Sequence, residues 1–204
     1  MLRIDQLGKR YGDHLVFEGL THRFGPGCLA LCEEDSTGKS TLLGILAAAI
    51  APDAGEVWVD GLPLHGAGEG GRRRLAYVPD DCLTEPQQTG RGLLEQVAHD
   101  KGVALDEAAF ELAEALGLMP HLDKRFEQMS TGTRRKVYLT AAQLGAPALV
   151  VADGPSNGLD AAARSVLAGV FREWGRDRVV IFASHDAALV EACGARRIEV
   201  GALR

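Results

Sequence analysis

No stretch of this chain is apolar for long enough to cross a bilayer. The longest apolar run is Ile45 to Ala51, whereas a spanning helix needs about 20 residues. Met1 to Asp5 lacks the apolar core of a signal peptide, so any membrane crossing falls to another polypeptide. Cysteine is scarce. Cys28, Cys32, Cys82 and Cys193 have no Cys-x-x-Cys spacing and no flanking histidine pair, which excludes a zinc site or a disulfide framework and leaves small apolar filling in a reducing cytosol. Positive charge is also short, with 22 Lys and Arg against 28 Asp and Glu, a net charge of -6. A general nucleic-acid grip needs a clustered basic face, and the two basic triplets, Arg72 to Arg74 and Arg134 to Lys136, read as solvated surface. There is no repeat, coiled-coil heptad or low-complexity tail.

The 204 residues suit one large domain with its own core. Leu2 to Leu7 alternates as a half-buried strand, and Leu29-Ala30-Leu31 runs straight into a polar loop, Glu33 to Thr37. From Ser40, the residues Leu42, Leu43, Ile45, Leu46 and Ile50 predict a helix that Pro52 and Gly55 end. Glu56 to Gly61 reads as a strand closed by a turn, Gly66 to Gly71 as a flexible connection, and Leu75 to Val78 as a strand. Between Pro79 and Gly145 the pattern turns helical. Leu149 to Ala152 and Val179 to Ala183 are continuous apolar runs separated by a helical segment, Ala161 to Trp174, as in buried parallel strands with a crossover helix.

Four short motifs carry chemistry, in the order Gly38-Lys39-Ser40-Thr41, Ser130-Thr131-Gly132, Val150-Val151-Ala152-Asp153 and Ser184-His185-Asp186. Lys39 can set its ammonium against β- and γ-phosphates, the Ser40 hydroxyl can ligate magnesium, and the amides of Gly38 to Thr41 open a helix whose positive end favours anions. Asp153, ending an apolar strand, can hold magnesium through its water shell. Ser130 and Gly132 precede an apolar helix and can meet a phosphate at its N-terminus.

In order and spacing these motifs, from Tyr11 to about His185, resemble the nucleotide-binding subunit of an ABC transporter. The resemblance implies a P-loop NTPase of α/β class, with a parallel-sheet core, an N-terminal antiparallel β part and a helical insert. It makes residues 1–204 a single cassette, with its core at about 1–79 and 146–204 and its insert at about 80–145. It implies ATP and Mg2+ as ligands, with Tyr11 stacking on adenine and Ser36, Thr37, Gly38, Lys39, Ser40 and Thr41 cradling phosphate. Ser40, Asp153 and Asp80 take the magnesium side, Asp80 standing where the family usually has Gln. Gly158-Leu159-Asp160 is similar to the family's D-loop, and His185 to its switch histidine, which together with Asp153 makes up the catalytic set. Ser130 and Gly132 would meet nucleotide held by a second subunit. The implied partners are therefore a transmembrane permease subunit and a homodimer or heterodimer partner, with no nucleic acid, at the inner face of the cell membrane on the cytoplasmic side.

Two departures bear on activity. Glu33 fills the leading glycine position of G-x-x-x-x-G-K-[ST] and Ser36 replaces a further glycine, so Glu33, Glu34 and Asp35 bring three carboxylates to a tetra-anionic ligand. Affinity falls unless these side chains turn outward or contact magnesium, and both outcomes are open. Gly154 stands where the family's water-polarising Glu belongs. Loss of a general base costs about 10²–10⁴ in rate, so intrinsic hydrolysis is expected to be weak. Asp160 and Asp186 are nearby carboxylates, but neither matches the missing position. The alternative reading is a hydrolysis-deficient regulatory module that uses ATP as a conformational ligand, and Gly154→Glu tests whether the site lacks only its base.

Overall fold

Alternating side chains at the N-terminus build an antiparallel ribbon. β1 (Leu2–Tyr11) turns through Gly12 and Asp13 into β2 (His14–Phe24), with Tyr11 opposite His14. The computed structural model describes residues 1–32, 37–66 and 70–203. The chain continues through β3 (Gly27–Leu31), α1 (Lys39–Leu46), β4 (Ala54–Val59), β5 (Leu62–Pro63), α2 (Gly70–Arg73) and β6 (Leu75–Val78). A helical stretch follows, with α3 (Gly90–Lys101), α4 (Glu107–Ala115), two 3-10 turns and α5 (Thr131–Gln143). β7 (Leu149–Asp153), α6 (Ala161–Trp174), β8 (Val179–Ala183), α7 (Ala187–Ala192) and β9 (Arg196–Ile198) complete it.

Two sheets result. The antiparallel one has the order β2-β1-β4-β5, and the parallel one has the order β6-β7-β8-β3-β9. The parallel strands β3, β6, β7 and β8 are buried on both faces, which is why they read as apolar runs, while the edge strand β9, Arg-Arg-Ile, is largely exposed. Val179 and Ile181 of β8 enter one core with Leu29, Leu31, Leu149, Val151 and α1, while Val180 and Phe182 enter a second core with Cys28, Ala30, Val150 and α6. A third cluster, including Leu94, Ala113, Leu122, Phe126 and Val137, lies within the helical stretch. Thr89, Asp106, Ser130, Asp160 and Asp186 each cap a helix with their own side chain.

Three boundaries differ from the sequence reading. Helix α1 stops at Leu46, well before Pro52, because Ala48 takes φ 55 and the amides of Ala49 and Ile50 turn back to the Gly44 carbonyl at 2.9 and 3.0 Å. The connection from Gly66 contains the start of α2 at Gly70, its residues 67–69 lying outside the described ones. The helical stretch begins at Gly90 and not at Pro79, since Thr89 supplies the cap by accepting from Gly92 N at 3.0 Å. Lys39, Asp80, Asp153 and His185 sit at or beyond the carboxyl ends of the parallel strands β3, β6, β7 and β8, where open α/β sheets bind ligands, while Tyr11 ends β1 of the antiparallel sheet and Ser130 and Gly132 open α5.

Candidate functional site

β3 ends at Leu31 and α1 opens at Lys39, so the intervening loop is delivered to a helix N-terminus whose amides favour anions. Glu33 to Ser36, and with them the questions raised by three carboxylates and a missing glycine, lie outside the described residues. Gly38 adopts φ 92, and a Cβ there would come within 2.8 Å of Val16 Cγ1, so both backbone conformation and packing demand glycine. Lys39 is buried at 7% exposure. Tyr11, His14, Val16, Gly38, Lys39, Ser40 and Thr41 line one cavity of about 310 Å³. The fold thus brings Tyr11 to the phosphate loop from 27 positions before Gly38, with Lys9 Nζ 5.2 Å from its ring centre. Thr37 is half-buried beside the loop.

Asp153, at the end of β7, is half-buried and accepts a hydrogen bond from the Ser40 hydroxyl. Burial pushes its carboxyl above the ordinary range, the Ser40 bond opposes this, nearby Asp80 raises it further, and Arg135 and Lys39 lower it. A carboxylate that is costly to ionise alone, touching a hydroxyl, suits a hard dication. Among the described residues no three His, Cys, Asp or Glu side chains gather into a cage. Magnesium is usually held by one or two carboxylates plus water and phosphate. When bound, the ion would neutralise charge on the phosphate oxygens.

β6 and β7 are parallel and in register, Val78 opposite Ala152. Two residues beyond each lie Asp80 and Gly154. The buried guanidinium of Arg135, 1% exposed, clamps both strand ends. It donates to the Asp153 carbonyl at 3.1 Å and to the Asp80 carbonyl, and it lies 3.6 Å from the Asp80 carboxylate. Asn157 Nδ2 donates to the same carboxylate oxygen at 3.1 Å. Gly154 has φ 54, and a Cβ built on it would stand 2.8 Å from Asp80 Oδ1 and closer still to Asn157 Nδ2.

The ABC transporter family profile matches residues 27–157. The chain belongs to this family. A Nod factor export ATP-binding protein I of Burkholderia thailandensis is 34% identical over 166 residues, which are 79% of this chain and 55% of that protein. The chain therefore spans about half the length of the curated relatives it matches. A solved ATP-binding subunit of an ABC transporter superposes with TM-score 0.86 at 25% identity, covering 98% of this chain and 87% of that one. An ATP-binding cassette solved as a dimer with ADP and phosphate shares the fold, with TM-score 0.83 at 17% identity, over 98% of this chain and 95% of that one.

The other family-like residues lie apart from the cavity. The Ser130 hydroxyl accepts from Thr133 N at 3.2 Å and bonds Thr133 Oγ1 at 2.9 Å, so it serves first as the cap of α5. Gly132 packs so closely on Gly158 that an added Cβ would overlap the Gly158 carbonyl oxygen. The two family motifs are thereby locked together. Neither Ser130 nor Gly132 lines the cavity of Lys39. His185 is exposed after β8, and Asp186 caps α7 through Leu189 N at 3.0 Å while lying 3.8 Å from Arg164. Asp160 accepts from Ala163 N at 2.8 Å and from Lys136 at 3.1 Å, which hold its carboxyl below the usual range.

Sequence reasoning missed Arg135 and Asn157. Arg135 was read as one of a solvated triplet, yet the helical phase of α5 carried a signal. Gly132, Arg135, Leu139 and Ala142 are spaced by three and four along one face, and all four are buried. Asn157 had no such signal, since only the loop after β7 turns it toward Asp80.

Proposed function

We propose that this chain is the ATP-binding subunit of an ABC transporter, coupling MgATP binding to movement of a separate membrane subunit. The observation that carries this is the cavity in which Tyr11 meets Gly38 to Thr41, one of whose lining residues, Ser40, bonds Asp153 through its hydroxyl. Tyr11 takes the adenine, the amides of residues 37–41 and Lys39 take the phosphates, and Ser40 with Asp153 takes Mg2+. Asp80 lies beside them. His185 contacts the γ-phosphate.

Residues 1–204 form a single cassette, the core at about 1–79 and 146–204 and the insert at about 80–145. No helix of the described residues is long and apolar enough to cross a membrane, which supports a peripheral subunit beside a permease at the inner face of the membrane. The permease meets the segment from Asp80 to Gly102. Leu83 is 56% exposed there, its carbonyl accepting from the Tyr138 hydroxyl at 2.5 Å. Dimerisation, with a second copy or a second cassette, carries Ser130 and Gly132 to the partner's nucleotide.

The test is equilibrium binding of a fluorescent ATP analogue with Mg2+, together with ATP-dependent association measured by light scattering, beside Lys39→Ala. Saturable binding that Lys39→Ala weakens about tenfold or more, with dimer formation on adding ATP, is expected. Binding that Lys39→Ala leaves unchanged would overturn the reading. A regulatory module that never turns ATP over is the second reading, favoured by Gly154. It predicts the same binding and association, with turnover no higher than that of Lys39→Ala even alongside the permease.

A further inference from the structure

Gly154 brings no side chain to the end of β7, yet the carboxylate of Asp80 stands beside it. We propose that Asp80, arriving from the neighbouring strand, holds the attacking water in the stead of a residue-154 side chain; this rests on the reading of the chain as an ATP-binding cassette. The register of the sheet supplies the reason. Val78 lies opposite Ala152, so the chain positions two residues further on, Asp80 and Gly154, leave the sheet side by side. The Asp80 oxygen ends up 2.8 Å from where a Cβ at 154 would stand. A side chain at 154 would compete for one volume with Asn157, whose Nδ2 lies closer still to that Cβ, and with the present pose of Asp80, and the two hydrogen-bonded side chains now share it.

The carboxylate is also built in. Asn157 Nδ2 donates to Oδ1 at 3.1 Å, Arg135 Nη2 lies 3.6 Å from the same oxygen, and Arg135 fixes the backbone of both strand ends through the carbonyls of Asp80 and Asp153. The Asp80 side chain is 64% exposed, so its second oxygen has access to water. Asp160 and Asp186 are committed to capping α6 and α7 and to Lys136 and Arg164, and Asp153 to the Ser40 hydroxyl.

In the step itself, Asp80 accepts a hydrogen bond from the water and aims its oxygen at the γ-phosphorus. The new P–O bond forms as the bond from phosphorus to the β–γ bridging oxygen breaks. That electron pair leaves on ADP, one water proton stays on the released phosphate, and the other goes to solvent. Arg135, drawing on the same carboxylate, makes Asp80 a weaker acceptor than an unpaired Glu.

The test compares MgATP turnover of the full chain with Asp80→Asn and Asp80→Ala, the latter with and without formate, and with Asp81→Asn as a neighbouring-charge control. Affinity for the fluorescent ATP analogue is measured on every variant. Turnover is expected to fall by about 10²-fold in both Asp80 variants, with affinity within about threefold, while formate raises Asp80→Ala severalfold and Asp81→Asn stays within about twofold of wild type. Wild-type turnover at the Lys39→Ala background, Asp80→Asn turning over like wild type, a loss residing wholly in affinity, or no response to formate each overturns the assignment of Asp80. Failure of wild type to bind the analogue overturns the nucleotide-binding reading itself, so the two failures are told apart.

Discussion

Restoring the family's glutamate by Gly154→Glu is the obvious repair, and the structure predicts that it fails. Two costs are fixed by geometry. Gly154 sits at φ 54, anchored by its amide to the Ala183 carbonyl at 3.1 Å and by its own carbonyl to Asn157 N at 3.0 Å. A residue with a Cβ in this left-handed region costs about 1–2 kcal/mol. The Cβ would also displace Asn157 Nδ2 and Asp80 Oδ1, breaking the hydrogen bond between them, worth about 0.5–1.5 kcal/mol. Because both side chains reach solvent they can swing away, so no larger packing penalty is added. The sum is about 1.5–3.5 kcal/mol, which for a domain of this size lowers Tm by about 3–14 °C.

Differential scanning calorimetry on wild type, Gly154→Ala and Gly154→Glu measures it, with MgATP turnover alongside. Gly154→Ala should carry most of the loss, because the backbone conformation and the first side-chain carbon are the cause. Asn157→Gly in the Gly154→Ala background should recover part of it, a coupling of about 0.5 kcal/mol or more. Turnover of Gly154→Glu should not exceed wild type, since the new side chain expels Asp80 from its hydrogen bonds. A Gly154→Glu protein that melts within about 1 °C of wild type and hydrolyses ATP about 10²-fold faster would refute this reasoning.

Arg135→Lys should lower stability by about 1–3 kcal/mol, read as a drop in Tm, because an ammonium cannot fork between the carbonyls of Asp80 and Asp153, and a buried acceptor loses its partner. Its analogue affinity should fall less than its Tm implies, since Arg135 does not line the cavity. Lys101 is a pH probe: burial, and then Arg178, lower its pKa to about 8. The unfolded chain binds this proton up to about pH 10.4, so between about pH 8 and 10 unfolding takes up this proton and the Lys101 contribution to stability rises with pH. Cys82, pushed up to about 12 by burial, Cys32, raised by burial, and Cys28, raised by its contact with Cys193, act in the opposite direction, because their thiols ionise at about pH 8.5 once unfolded. The Tm difference between wild type and Lys101→Met should therefore shift in favour of wild type across that interval, by the equivalent of about 2–3 kcal/mol, the cysteine contribution being common to both proteins. Above pH 10 Tyr77 and Tyr138, both pushed up to about 12 by burial, lower the stability of both proteins as pH rises.

What the sequence made legible follows from how local each signal is. β8 and α6 fall on the expected residues, Val179–Ala183 and Ala161–Trp174, because one is an apolar run and the other a 3.6-residue pattern behind an Asp cap. β2 passed unread since the register shift between Phe17 and Leu20 breaks the alternation of its inward face and a polar residue, His22, stands on that face between Leu20 and Phe24. β9 and α7 are too short to show a period. The end of α1 was misplaced because Ile50 belongs to the same apolar face but reaches it by folding back over Gly44, which is a tertiary contact.

The site divides in the same way. Lys39, Ser40, Asp153 and Ser130 announce themselves because a phosphate loop, a strand-ending carboxylate and a helix cap are written in neighbouring residues. The carboxylate that matters at position 154 does not, since it comes from residue 80 and reaches its place through the Val78–Ala152 register and the Arg135 clamp. Read along the chain, Gly154 is a deletion of function. Read across the sheet, it is half of an exchange: a glycine at 154 removes the side chain that would collide with Asp80, and an acid at 80 restores the charge. If that exchange is real, the two positions are energetically linked. Asp80→Gln and Gly154→Glu together should then turn over faster than either single variant predicts by multiplication, and a strictly multiplicative pair would leave Gly154 as a simple loss.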